Sequence, residues 1–238
     1  MSQKGKLYLI PTPLGESDPT LVLPDQVLKF ILTLDEFIVE ELRTARRFLR
    51  KIGYTNDFDT VTFHILNEHT KIEETYSFLD STLLGKNIGL LSEAGCPCLA
   101  DPGNIVVQLA HQQNINVVPF VGPTSIILAL IASGFNGQNF SFIGYLPKEK
   151  DQRKKKIKEL ERMAWSNGQT QIFIETPYRN MQLLKDIIDT CRNETLVCIA
   201  TDITTAEENV KTKPVSEWKR KIPEINKKNT VFLIYCQE

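Results

Sequence analysis

Two patterns of apolar residues alternate along the chain: short β-rich runs, and longer segments in which the apolar positions return every three or four residues. The runs predict strands at 6–10, 37–40, 60–65, 87–92 and 116–120, and the longer segments predict helices at 24–34, 44–52, 72–84 and 103–113. Strands separated by helices need crossover connections, so this half predicts a mostly parallel sheet with helices on both faces. The second half continues with an apolar helix at 125–132, a strand at 140–144, a charged amphipathic helix at 148–163 and a strand at 170–175. A helix at 179–191, strands at 195–201 and 230–236, and a short strand at 209–212 complete it. No fixed period relates the halves. Val121, Gly122 and Pro123 break the pattern, which places a boundary between an α/β domain at 1–120 and a second at 121–238. The break is short, so the two domains are expected to pack together around a cleft.

Composition narrows the class. Of the 238 residues, 42% are hydrophobic and 24% charged, ordinary globular usage that excludes a disordered or collagenous chain. The formal net charge is −1, so bulk charge does not argue for nucleic acid and any such partner needs a local basic patch. The longest apolar run, 126–132, is far short of the roughly 18–20 residues that span a bilayer. The stretch at 7–10 stops at Pro11, too short for the core of a signal peptide, so a cytoplasmic protein without a membrane partner is expected. Five cysteines, an odd number spread through the chain, are expected to stay reduced. Cys96 and Cys98 are too close for a zinc knuckle, and His64, His69 and His111 supply no paired ligand motif, so no metal is expected.

Four loops stand at the C-terminal ends of predicted strands, where open α/β sheets bind ligands: 11–15, 92–103, 121–125 and 175–179. Each combines proline with glycine or other small residues, which suits rigid main-chain walls around one ligand. A phosphate cradle needs free backbone N–H groups, yet Pro11 and Pro13 have none, and neither a Gly-x-Gly-x-x-Gly fingerprint nor a P-loop is present. A ligand without phosphate fits better.

The runs LYLIPTPLG at 7–15, LSEAGCPCLADPG at 91–103, VPFVGPTS at 118–125, FIGYLP at 142–147 and IETPYR at 174–179, with Ser133 and Gly134, resemble the successive signatures of the tetrapyrrole methylase superfamily. These are the class III S-adenosylmethionine-dependent methyltransferases. Within it the chain most resembles the branch that 2'-O-methylates a cytidine ribose in small-subunit ribosomal RNA. The resemblance implies two α/β domains, with a mostly parallel sheet in the first and a mixed sheet in the second. It also implies S-adenosyl-L-methionine in the interdomain cleft, an RNA substrate in the small ribosomal subunit, and a homodimer. Carried over by position, it implies cofactor contacts at Leu14, Ser92, Glu93, Gly95, Cys96, Thr124 and Ser125, and at Glu175, Ala200, Asn229 and Thr230.

The substrate side departs from that branch. The chain has EELRTA at 40–45 for the usual EDTRHT, NEHT at 67–70 for HEHN and ATDITT at 200–205 for ARELTK, and Glu93 stands where Asp is usual. It also ends directly after its last strand, where the branch tends to carry a helical extension. Transfer to a ribose hydroxyl needs a group that takes or stabilises the proton, and Arg43, Glu68 and His69 in the altered segments are the candidate catalytic residues. Methylation of a tetrapyrrole or other small molecule, or a cofactor-binding homologue without catalysis, are the alternative readings. The one concentrated basic run, Arg153, Lys154, Lys155 and Lys156 with Lys158, reads either as a solvated helix face or as a phosphate-tracking patch.

Overall fold

The structure, a computed structural model, describes residues 4–236. The chain divides into two compact units, Met1–Thr124 and Ser125–Glu238. In the first, β1 (Lys6–Ile10), α1 (Asp25–Ile31), β2 (Glu36–Val39), α2 (Leu42–Lys51) and β3 (Thr62–Ile65) are followed by α3 (Ile72–Thr75) and α4 (Asp80–Leu83). Then come β4 (Ile88–Leu91), α5 (Asn104–Gln112) and β5 (Asn116–Pro119). The strands form one sheet in the order β3-β2-β4-β1-β5, every pair parallel.

Side-chain alternation along these strands sorts the core into two layers. Tyr8, Ile10, Phe37, Val39 and Leu91 pack on one face with α1 and α2 residues such as Ile31 and Leu49. Leu7, Ile38, Ile88 and Leu90 pack on the other with Val106, Leu109 and Ala110 of α5. The single helix expected at 72–84 is instead two short ones. Hydroxyls compete for the backbone there: Thr75 donates to Ile72 O at 2.6 Å and Thr82 to Leu79 O at 2.6 Å, favouring separate turns.

The second unit runs α6 (Ser125–Ser133), β6 (Phe140–Tyr145), α7 (Lys150–Asn167), β7 (Thr170–Ile174), α8 (Asn180–Thr190) and β8 (Leu196–Thr201). β9 (Asn209–Pro214), α9 (Val215–Arg220) and β10 (Thr230–Tyr235) close it. Its sheet order is β6-β7-β10-β8-β9, parallel only between β6 and β7, hence mixed. Phe173, Val197, Ile199, Phe232 and Ile234 pack one face against Ile157 and Leu160 of α7 and Leu184 and Ile187 of α8, while α6 packs against β8, β9 and β10. α7 runs past the expected end at 163 until Gly168, at φ 55°, takes the left-handed conformation that stops a helix. The short α9 was not foreseen: one turn holds only Val215 and Trp218 as buried residues, too few to register as a period.

Candidate active site

β1 and β4 are neighbours in the parallel sheet, with Ile10 opposite Leu91, so the loops that follow them leave the same edge side by side. Those loops are locked together. Thr12 and Gly95 exchange both backbone hydrogen bonds at 3.0 Å, Thr12 Oγ1 donates to Ser92 O at 3.2 Å, and Ser92 Oγ donates to Gly95 O at 2.5 Å. Gly95 has φ 77°, and a Cβ there would lie 2.9 Å from Leu14 Cδ2 and 3.1 Å from Pro123 O. Only glycine meets both conditions without strain. Cys96 Sγ lies 3.5 Å from Gly122 O and 3.4 Å from Pro123 O, and burial pushes its thiol pKa up, so it stays a protonated donor. Leu14, Ser92, Gly95, Cys96 and Thr124, drawn from separate loops of the sequence, thus meet around one glycine.

Asp101 shapes the rest of the second loop. Its carboxylate accepts from the N–H of Cys98 at 2.9 Å and of Gly103 at 2.8 Å, bracing a turn in which Cys98 and Ala100 both have positive φ. Burial raises the Asp101 pKa against the opposing pull of those two N–H groups. Burial, with Asp101 beside it, pushes Cys98 up to about 11. Among the described residues no cluster of three or more metal-ligating side chains forms.

Two concavities open at this strand edge. One, of 390 Å³, is lined by Thr12, Pro13, Thr44, Ser92 and Glu93 among others; the second, of 680 Å³, is lined by Glu40, Glu41, Glu68, His69, Glu93 and Asp101. Both fall within the range of small-ligand sites. Glu93 borders both, and its Oε1 accepts from Thr44 Oγ1 at 2.6 Å, tying the second loop to α2. Glu68 and His69 pair at 3.6 Å with side chains 87% and 84% exposed. Arg43 is exposed on the first turn of α2, where Glu41 caps its N–H at 3.0 Å, and it lines neither concavity. Glu40, which ends the second predicted strand and is not among the candidate catalytic residues of the sequence, is half-buried among these groups. Burial, then the charges of Glu93, Asp101 and Glu68, push its carboxyl above the ordinary range.

In the second unit, Ala200, Asn229 and Thr230 lie on adjoining rungs of one ladder: Ala200 opposes Val231, and Asn229 O accepts from Asp202 N at 2.8 Å. Ala200 is fully buried in the sheet. Thr230 Oγ1 accepts from Asn180 Nδ2 at 3.0 Å, and Asn180 Oδ1 is a buried acceptor without a partner. Glu175 is tied to its own loop, accepting from Thr176 N at 2.7 Å and pairing with Arg179. Ser125 begins α6.

The basic run at 153–158 does not form a phosphate-tracking face. Arg153 is 1% exposed; its Nε and Nη2 donate to Asp186 Oδ2 at 2.9 and 2.6 Å, and its Nη1 donates to Lys148 O at 2.7 Å. Lys154 pairs with Asp189 at 3.5 Å and Lys156 with Glu159 at 2.9 Å. Only Lys155 and Lys158 remain exposed and outside any ion pair among the described residues. The sequence shows five cations in a row of six; it does not show that the helical period turns the first of them inward.

No family model matches the chain. Curated relatives do. A protein of Vibrio cholerae is 32% identical over 89% of this chain and 69% of its own length. One of Streptococcus pyogenes is 31% identical over 97% and 76%, and one of Halalkalibacterium halodurans is 35% identical over 78% and 59%. All three bear the name ribosomal RNA small subunit methyltransferase I. Among solved structures, the methyltransferase CobJ superposes with a TM-score of 0.64 over 98% of this chain and 94% of its own, at 16% identity. The cobalamin biosynthetic enzyme cobalt precorrin-4 methyltransferase, CbiF, superposes with a TM-score of 0.61 over 97% and 94%, also at 16% identity. At that identity the likeness is one of fold.

Proposed function

Since the chain belongs to the ribosomal RNA small subunit methyltransferase I family, we propose that it transfers a methyl group from S-adenosyl-L-methionine to RNA of the small ribosomal subunit, at a ribose 2'-hydroxyl. The observation that carries this is the 32% identity over 89% of the chain. The locked loops around Gly95 supply a structural counterpart.

The residues at the strand edge of the first unit fit such a cofactor. Pro11, Pro13 and Pro97 carry no N–H for a phosphate nest, and Leu14 supplies apolar surface beside Gly95. When bound, S-adenosyl-L-methionine supplies a methyl on a positively charged sulfur that is already a good leaving group. By the resemblance, Leu14, Ser92, Glu93, Gly95, Cys96, Thr124, Ser125, Glu175, Ala200, Asn229 and Thr230 are the proposed cofactor contacts. Carboxylates around the 680 Å³ concavity suit a cationic centre electrostatically. What the protein must add is a near-attack geometry and exclusion of water. The ribose proton needs an acceptor. Glu68, His69 and Glu40 line that concavity and are the proposed acceptors, with burial raising the Glu40 carboxyl above its ordinary range. Arg43, outside the concavity, is proposed to orient RNA. A homodimer in the cytoplasm completes the proposal, and light scattering at micromolar concentration checks the dimer.

Calorimetry with S-adenosyl-L-methionine, followed by transfer of labelled methyl to small ribosomal subunits lacking the modification, tests the function. Binding with incorporation into a 2'-O position is expected. Binding with incorporation into a tetrapyrrole instead, or with none at all, replaces it by one of the two alternatives.

A further inference from the structure

A second stretch of the sequence carries the same net positive charge as the one at 153–158, spread over more residues, and it is folded differently. Between Lys211 and Lys228 there are seven lysine or arginine residues against two carboxylates, Glu217 and Glu224, in a chain whose net charge is −1. The rest of the molecule is therefore clearly acidic and repels a polyanion. Alternation along β9 puts Asn209, Lys211 and Lys213 on one face. There they join Ile199 and Thr201 of β8, their register neighbours, in the wall of a 520 Å³ groove. The opposite face of β9 is occupied, since Thr212 Oγ1 donates to Ser133 O of α6 at 2.8 Å. Trp218, buried and donating to Val197 O at 3.0 Å, with buried Ile225 forms the floor, and Lys221 and Lys228 line the other side.

More cations lie outside ion pairs here, among the described residues, than in the run of α7, where Lys155 and Lys158 do. Lys213 reaches Glu217 only at 3.6 Å and Lys228 reaches Asp202 at 3.3 Å. Among the described residues Lys211, Arg220, Lys221 and Lys227 form no ion pair, and all four are exposed. Two of the groove's acids are held by their own turns: Glu208 accepts from Thr204 N at 2.7 Å and Glu224 from Asn226 N at 2.9 Å. A rigid sheet face carrying lysines on alternate residues, beside an immobilised tryptophan and within an otherwise acidic chain, is arranged for a polymer of phosphates.

We propose that the groove between β9 and the segment after α9 docks the sugar-phosphate backbone of the RNA substrate, with Lys211 and Lys221 as its principal phosphate contacts. This rests on the reading of the protein as an RNA methyltransferase. It assigns the RNA-positioning surface to 209–228, not to the basic run of α7.

The test compares two charge-neutralised proteins: Lys211→Gln with Lys221→Gln, and Lys155→Gln with Lys158→Gln as the control from α7. All four positions are exposed, so folding is expected to be unchanged, which circular dichroism verifies. Binding to a small-subunit ribosomal RNA fragment is measured across salt concentrations, and methyl transfer to unmodified small subunits is measured as KM and kcat. Each lost phosphate contact lowers the salt slope by about 0.7–0.9, so the groove pair should flatten it by about 1.5 and raise KM about tenfold. kcat should stay within about twofold and cofactor affinity should not change. The control pair should match the wild type. Equal effects of both pairs, or an effect of neither, overturn the proposal. So does loss of binding to phosphatidylserine vesicles or to an acidic protein with RNA binding intact, which would assign the groove to that partner. A wild type that binds RNA with groove dependence but transfers no methyl overturns the functional reading and leaves the groove standing.

Discussion

The two units use their buried polar groups differently. In the first, Thr12, Ser92 and Asp101 hydrogen-bond to the backbone of the loops at the strand edge, so their side chains shape a surface. In the second, the buried Arg153, Asp186 and Glu161 join one helix to another or to a strand end. Arg153 of α7 meets Asp186 of α8, and Glu161 of α7 accepts from Thr195 Oγ1 at 2.5 Å and from Arg192 N at 2.7 Å. Loop-shaping groups can be altered while the core stands, because the apolar layers on both faces of the sheet do not depend on them. Helix-joining groups cannot, because each is a charge or hydroxyl sealed from water that must keep its partner.

The largest effect follows from that seal. Arg153→Met leaves Asp186, 2% exposed, as a buried carboxylate whose remaining neighbour is Lys154 at 3.8 Å. Removing one partner of a buried pair costs about 3–5 kcal/mol, whereas apolar replacement of both is often nearly neutral. Denaturant unfolding should show that loss for Arg153→Met and recovery of most of it for Arg153→Met with Asp186→Leu. A single variant within about 1 kcal/mol of wild type would mean that Asp186 finds water or Lys154, and the contrast between the units would weaken.

Next in size is a change on the loop side. Gly95→Val puts a branched side chain at φ 77°, against Leu14 and Pro123 O. Strain of this kind is of order 1–3 kcal/mol, and the shape of the three loops is lost with it. Calorimetry should show cofactor affinity reduced by more than about tenfold, while circular dichroism retains the folded signal. Unchanged affinity would remove this loop from the site.

How much of this was legible in the sequence differs between the units for the same physical reason. Strand positions and the parallel sheet of the first unit follow from apolar periodicity and order, whereas the mixed sheet of the second was implied by the family resemblance. The loop residues announce themselves where positive φ demands glycine, as at Gly95, and where proline stiffens a turn, as at Pro102, but Cys98 and Ala100 take positive φ with no such mark. Partner choice inside the second unit leaves no such local mark. Nothing around Arg153 in the sequence reveals Asp186, 33 residues away, and so a buried ion pair reads as part of a basic run. Glu40 was not named as catalytic for a like reason, because its environment comes from burial and from Glu93 and Asp101, which only the fold brings near. The lysines of 211–228 are interrupted by Pro214, Trp218 and Pro223, so they look dispersed until β9 and the segment after α9 face one groove.

A smaller effect should appear in alkali. Burial pushes the Cys98 thiol in the first unit and the Cys198 thiol in the second up to about 11 from an ordinary 9.0. A raised folded pKa means the folded chain holds protons that the unfolded chain releases. This contribution is complete below pH 9 and is lost as pH rises towards 11. The denaturation midpoint should therefore decline above about pH 9, and less steeply in Cys198→Ala, whose site lies in the sheet. A flat profile to pH 10.5 would show that these thiols ionise freely in the folded state.

The smallest predicted change concerns the rim that the two concavities share. Thr44 Oγ1 sits 2.6 Å from Glu93 Oε1 and 2.9 Å from Glu41 O, with one proton to donate between them. The contact is exposed, so Thr44→Val should cost no more than about 0.5–1 kcal/mol of stability. Its consequence for ligand binding should be more specific. Glu93 is one residue removed from Ser92, which anchors the second loop, and without Thr44 its carboxylate loses the bond that fixes it between the concavities. Cofactor affinity should then fall by a few-fold in Thr44→Val, about 0.5–1 kcal/mol, and return in Thr44→Ser, which keeps the hydroxyl and drops the methyl. If valine and serine behave alike, the hydroxyl does not set the position of Glu93, and the loop is held by its bonds to Thr12 and by the Ser92 and Asp101 side chains.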